Sequence, residues 1–337
     1  MKEAYLYEKA TDGRVKCILC SHGCTISPGK RGICKVRENR NGVLYTLVYD
    51  RLISANNDPI EKKPLFHFLP GSFSYSISTV GCNFQCKHCQ NWQISQYPRF
   101  NQGKIIGDEI NPEAIVNNAL MHGARSISYT YVEPTIFYEL AKDTGLRAKK
   151  SGLRNVFVSN GYMSQETCRD CVSFLHAINI DLKAFTDKFY KEICKARLQP
   201  VLDCITSLFK AGIWIEITTL IIPGLNDSRE ELRDIASFIY QLSPDIPWHV
   251  TAFHPTFELM DRPPTPVETL KMAREIGLEQ GLRYVYQGNV PGSGGENTYC
   301  PQCGTLLLKR LGFQVLENRL DGNRCPECAT SIAGIWS

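Results

Sequence analysis

From residue 73 to residue 287 the chain alternates two patterns. Short runs rich in β-branched and aromatic residues have the length and composition of strands: "FSYSIST" (73–79), "RSISYTY" (125–131), "NVFVS" (155–159), "AINID" (177–181), "IWIEITTL" (213–220), "WHVTAF" (248–253) and "RYVYQ" (283–287). The longer stretches between them carry helix-start signals. Asn111-Pro112-Glu113 sets a capping residue before a first-turn proline. Ser164 precedes a helical run. Ser228 with Glu231, and Thr265 with Pro266 and Glu268, have capping-box spacing. Strands separated by helices run parallel, because each crossover returns the next strand to the same direction. Six or more such units predict an α/β fold, a partial or full parallel (βα) barrel, with an open sheet as the alternative.

Outside this region the periodicity fades. Residues 1–50 are rich in Gly, Pro and Lys, and a module this small needs a staple such as a metal. Residues 51–71, with "DPIEKKPLFHFLPG", read as a connector whose Lys62, Lys63 and His67 are either ordinary linker charges or contacts for an anionic substrate. Residues 72–290 are then the barrel, and 291–337 a second small module. Its opening "PGSGGEN" lacks the strand-turn-helix frame of a phosphate loop.

Composition narrows the function. With 337 residues and 43% hydrophobic content the chain can bury a sizeable core. A net charge of +4 without a basic run of five argues against nucleic acid and membrane surfaces as partners. "MKEAYLYEKATDGRVKC" has no apolar signal-peptide region, and no 18-residue apolar run occurs, so the expected location is cytoplasmic. There thiols stay reduced, and fifteen cysteines read as metal ligands or buried side chains rather than disulfides.

Eleven of the fifteen fall into three groups. Cys17, Cys20, Cys24 and Cys34 are four ligands within one module; a structural zinc or a coordinatively full [4Fe–4S] cluster both fit, and the staple argument favours zinc. His22 is a solvated turn residue or a substitute ligand. Cys300, Cys303, Cys325 and Cys328 form two knuckles, "CPQCG" and "CPECA", which predict a zinc-ribbon-like site with zinc first and rubredoxin-like iron second. Such ribbons sometimes bind nucleic acid, but "TLLLKRLGFQVLENRL" is only mildly basic. Cys168, Cys171, Cys194 and Cys204 read as packed thiols. Glu216 shares a strand face with Trp214 and Thr218; if that face is the lumen, it is a buried carboxylate that pairs with an Arg or Lys or touches substrate.

The third group, Cys82, Cys86 and Cys89 in "STVGCNFQCKHCQNWQ", has only three ligands. A cubane has four corner irons, so three thiolates leave one iron open. The loop follows the first strand, at the barrel end that carries chemistry. This stretch resembles the signature of the radical S-adenosylmethionine (SAM) superfamily, with His88 where an aromatic residue is usual. The resemblance implies a [4Fe–4S] cluster on Cys82, Cys86 and Cys89, and SAM bound to the open iron. It also implies a 5′-deoxyadenosyl radical that abstracts hydrogen, with electrons from flavodoxin or ferredoxin. By the same resemblance Glu133, Ser159, Asn160, Asp181, Lys183 and His254 are SAM contacts, each just past a strand.

"YVEPT", "SNG" and "DLK" are similar to the branch that holds the activating enzymes of glycyl-radical proteins, although residues 94–124 lack the ferredoxin-like cysteines common there. "CILCSHGCTISPGKRGICKVR", "DPIEKKPLFHFLPG" and "NVPGSGGENTYCPQCG" resemble the AmmeMemoRadiSam-system radical SAM enzymes over nearly the whole chain, which implies that system's two partner proteins. The rival readings are a glycyl-radical activase and a non-catalytic scaffold stapled by metals.

Overall fold

The computed structural model describes every residue except Pro291 and Ser293, so the loop reading at those two positions lies outside the described residues. The seven runs become seven strands: β2 (Phe73–Ser78), β3 (Ser126–Tyr129), β4 (Arg154–Ser159), β5 (Ala177–Asp181), β6 (Trp214–Ile221), β7 (Trp248–Ala252) and β8 (Val285–Gly288). They pair in chain order, all parallel. An eighth strand, β1 (Ser54–Pro59), adds antiparallel to β2 from the stretch read as a connector. Among the described residues the strand order is linear and no ladder joins β1 to β8, so the barrel is partial.

Six helices cover the crossovers: α1 (Pro112–Met121), α2 (Tyr138–Lys150), α3 (Gln165–Cys171), α4 (Gln199–Lys210), α5 (Arg229–Leu242) and α6 (Val267–Glu279). Three predicted caps form. Asn111 accepts from Ala114 N, Ser164 from Thr167 N and Ser228 from Glu231 N, each satisfying an orphan helix donor. The fourth does not: Pro266 takes the cap position of α6. The Thr265 hydroxyl instead accepts from Phe253 N at 2.8 Å and donates to Ile221 O at 2.5 Å. It ties the start of α6 to the ends of β6 and β7, a use that outcompetes capping.

Strand register assigns the inner face. Ser74, Ser76, Ser126 and Ser128 share it, and the Ser74 and Ser126 hydroxyls bond at 2.8 Å. Across β5, β6 and β7 the same face carries Asn179 and Asp181, then Glu216, Thr218 and Leu220, then His249 and Thr251. Small and polar side chains thus line the interior, while the apolar face packs under the helices.

Residues 1–53 fold as small sheets beside α2, fastened by Arg37, whose Nη1 lies 3.0 Å from Glu139 with both side chains buried. Residues 298–318 form a three-stranded antiparallel sheet ending in the hairpin Leu306–Leu311 and Gln314–Asn318. It docks on the connector, where buried Arg310 donates to Phe66 O at 2.8 Å and lies 3.7 Å from Glu61. His67 is buried there, with Nδ1 on Ala333 O at 2.7 Å and Nε2 on the Tyr286 hydroxyl at 2.5 Å. No helix among the described residues is long and apolar enough to cross a membrane.

Candidate functional site

Loop 79–91 leaves β2 at the strand's C-terminal end. Its turn requires Gly81, which has φ +98°; a Cβ there would stand 2.6 Å from Val36 and 3.0 Å from Cys34 O. The loop is pinned by Gln85 N on Cys194 O, Lys87 N on Ile193 O and the Gln96 amide on Phe84 O. It carries Cys82, Cys86 and Cys89 to the wall of a cavity of about 540 Å³ at the mouth of the barrel. Burial pushes the Cys82 thiol well above its ordinary value, and a hydrogen bond with Cys194, with burial behind it, does the same for Cys86. Thiols so placed become thiolates only beside a cation, so they fit a metal cluster.

Among the described residues, the three sulfurs are not one of the groups gathered within 4.8 Å of one another; Cys86, His88 and Cys194 are. That spread suits a cluster in which each thiolate takes a different iron, better than a single ion. Cys194 beside Cys86 has no signal in the sequence, because a helical turn far along the chain, Tyr190–Cys194, supplies it.

The opposite wall holds the predicted polar residues. Glu133 is buried and caps the turn after β3: Oε1 accepts from Thr135 N and from the Ser159 hydroxyl at 2.8 Å, and Oε2 accepts from Asn160 N at 2.7 Å. Burial raises its pKa, against the pull of those donors. The Asn160 amide reaches Asn83 in the cysteine loop at 2.8 Å, joining the two walls. At the end of β5, Asp181 and Lys183 pair at 2.9 Å. Burial disfavours the Lys183 ammonium, but the Asp181 carboxylate beside it outweighs burial and holds its pKa above the ordinary value. Glu133, Ser159, Asn160, Asp181 and Lys183 all line the cavity.

His254 does not; it is exposed and outside the cavity lining. Thr265 bonds the backbone of Phe253 from both sides, so the buried Phe253 is the inward residue and His254, next along, faces out. Glu216 is also no part of the wall. It pairs with His249 at 2.7 Å and accepts from Phe66 N, His67 N and the Trp214 indole, so its basic partner is a histidine rather than the expected arginine or lysine.

Several lining residues carried no motif. Asn179, Thr218 and Thr251 form the floor, with Thr218 donating to Asn179 at 3.0 Å. Asn179 could have been found by counting two residues back from Asp181 along one face. Lys62 and Lys63 reach the cavity from the connector, unlike His67. Burial lowers the Lys63 pKa to about 8, although Asp58 lies 2.7 Å away. Phe313, from the C-terminal hairpin turn, closes one side.

The two four-cysteine sets differ. At the C-terminus all four sulfurs gather within 4.8 Å, with Cys300–Cys328 and Cys303–Cys325 at 3.6 Å. The Thr305 hydroxyl and amide hold the Cys303 thiol down at about 6, and Thr330 lowers Cys328 in the same way. Cys17, Cys20, Cys24 and Cys34 line a separate small cavity against the back of the cysteine loop.

Residues 76–239 match the model of the Radical SAM superfamily. An uncharacterized protein of Methanocaldococcus jannaschii is 47% identical over 335 residues, 98% of this chain and 99% of that protein. A candidate glycyl-radical enzyme activating enzyme of the same organism is 26% identical over 212 residues, 60% of this chain and 76% of its own. Among solved structures, a radical SAM methyltransferase from Sphaerobacter thermophilus shares the fold with a TM-score of 0.52 at 14% identity, covering 68% of this chain and 71% of that one. The chain thus belongs to the radical SAM superfamily and is one of its enzymes, working with SAM and a [4Fe–4S] cluster.

Proposed function

We propose that Cys82, Cys86 and Cys89 hold the [4Fe–4S] cluster, that Glu133, Ser159, Asn160, Asp181 and Lys183 hold SAM in the adjoining cavity, and that the enzyme removes hydrogen from a substrate seated on the Asn179–Thr218–Thr251 floor. The observation that carries this reading is the convergence of the three thiols and the five polar residues on one cavity. When bound, the cluster and SAM supply a 5′-deoxyadenosyl radical by one-electron cleavage of the sulfonium to methionine. The protein's own part is orientation and exclusion of water. Asp181 and Lys183 present a carboxylate and an ammonium, which suit the ammonium and carboxylate of an amino acid. Glu133 spends Oε1 on Thr135 and Ser159, leaving room on Oε2 for one further donor.

Anaerobically purified enzyme is expected to be brown and to make 5′-deoxyadenosine from SAM with dithionite. Cluster-loaded enzyme that binds SAM and yields none sinks the reading. Deuterium-labelled cell extract would then show which fraction donates hydrogen. Flavodoxin or ferredoxin is the proposed electron donor, and AmmeMemoRadiSam-system proteins are the proposed partners. The 3.6 Å sulfur pairs of the C-terminal quartet support one tetrahedral ion, because ligands at about 2.3 Å lie about 3.8 Å apart; zinc is the first choice.

The second reading is an activase that places a radical on a partner's glycine. The activating-enzyme relative favours it. A glycyl-radical signal on a partner protein after anaerobic mixing would establish it.

A further inference from the structure

We infer that Cys17, Cys20, Cys24 and Cys34 hold a second, coordinatively complete [4Fe–4S] cluster, in electronic contact with the first through loop 81–84. The inference rests on the cofactor assignment above for Cys82, Cys86 and Cys89.

Sulfur spacing separates the two metal chemistries. A single tetrahedral ion draws four thiolates to about 3.8 Å of one another. The C-terminal quartet meets that condition, with all four sulfurs inside 4.8 Å. The N-terminal quartet is not among the groups so gathered in the described residues, and neither is the signature trio. Instead its four thiols stand around one common space, which they line together with Arg37. Thiols that surround a space without meeting suit a ligand with four separate metal corners.

A second observation comes from charge. Arg37 lines the same cavity and is only 2% exposed. Its Nη1 serves Glu139, but Nε and Nη2 have no partner among the described residues. Two buried guanidinium donors left unsatisfied are costly, and an anionic group in the cavity would satisfy them. A cubane bound by four thiolates is such an anion, and its sulfides accept hydrogen bonds. His22 is not available as a substitute ligand through Nε2, which lies 2.9 Å from Asn83 O.

Position gives the role. Cys34 O lies where a side chain on Gly81 would be, one residue before Cys82. Asn83 lines the N-terminal cavity, while Cys82 and Phe84 on either side line the large one. The two sites are therefore back to back across a single loop. None of the four N-terminal cysteines lines the large cavity, so that site does not touch substrate. A cluster with every iron ligated by cysteine and set away from substrate serves electron transfer. One electron from an external one-electron reductant enters there and passes through residues 81–84 to the signature cluster.

The test is metal and acid-labile sulfide analysis of anaerobically reconstituted protein. Mononuclear sites contain no sulfide, so wild type is expected to hold about eight sulfides per chain. The triple variant Cys82→Ala/Cys86→Ala/Cys89→Ala should keep about four irons and four sulfides, and Cys24→Ala/Cys34→Ala should lose that half and keep the other. Wild type with about four sulfides and a second zinc would overturn the second cluster. A Cys24→Ala/Cys34→Ala protein with no sulfide while the triple variant retains its own would sink the signature assignment instead. After dithionite reduction, the wild-type paramagnetic resonance spectrum should be broader than the sum of the two variants' spectra. A plain sum would overturn the contact.

Discussion

Glu133 and His67 show how burial sets the work of single residues. Glu133 gathers its donors from β3's turn and β4's end, so it shapes the cavity wall before any ligand arrives. Glu133→Gln keeps the side chain's size and removes the charge, and its NH2 must face Thr135 N or Asn160 N, leaving one wall donor unpaired. Losing a hydrogen bond to a charged group costs about 1.5–3 kcal/mol, so SAM should bind about ten- to a hundredfold more weakly with iron content unchanged, by equilibrium dialysis. Unaltered affinity would remove Glu133 from the site. His67 is confined to its neutral form: Ala333 O can only accept, so Nδ1 carries the proton and Nε2 accepts from Tyr286. Burial lowers its pKa to about 4 from an ordinary 6.5. The unfolded chain therefore takes up a proton below about pH 6.5 that the folded protein refuses until about pH 4. Stability from this group is complete above pH 6.5 and falls as the solution is acidified, by about 2 kcal/mol between pH 7 and pH 5. Denaturant midpoints at those two pH values should converge in His67→Gln, and an equal acid slope in variant and wild type would exclude the ring as the cause.

At the scale of elements, loop 79–91 is positioned by what lies behind it. Gly81→Ala forces a side chain into φ +98° and into Val36 and Cys34. Strain of that kind costs about 1–3 kcal/mol. Reconstituted Gly81→Ala should hold less iron and sulfide than wild type in both clusters, because both loops share the contact; full loading would show that the contact is loose. Elements also show where pattern reading succeeds. The β5 run 177–181 was legible to the residue, because Ile178 and Ile180 alternate with Asn179 and Asp181, apolar side chains under the helices and polar ones toward the cavity. β1, "SANNDP", was not legible: it is short, polar and ends in proline, and its status comes only from pairing with β2. Thr265 likewise had a cap's spacing but a tertiary use.

Across the whole molecule, two small modules grip one partial barrel. The C-terminal module contributes Phe313 to the cavity and clamps the connector through Arg310. The double variant Cys303→Ser/Cys328→Ser should lose one metal ion by elemental analysis, keep its full sulfide and melt several degrees lower, since a structural metal contributes folding energy. Loss of sulfide in that variant would show that the C-terminal site is not mononuclear.

The sequence by itself determined the seven parallel strands, three of the helix caps, the three-cysteine loop after the first of those strands and the polar residues at the ends of β3, β4 and β5. Each is a local pattern whose physics acts over a few neighbouring residues: side-chain period, capping geometry and ligand count. Tertiary structure alone decided that His254 faces out, that Glu216 is matched by a histidine, that Cys194 stands beside Cys86, and that the N-terminal cysteines lie against the signature loop. Those outcomes depend on which distant backbone passes close by. Spacing along a chain carries no information about that; only packing brings residues such as Cys34 and Gly81 together.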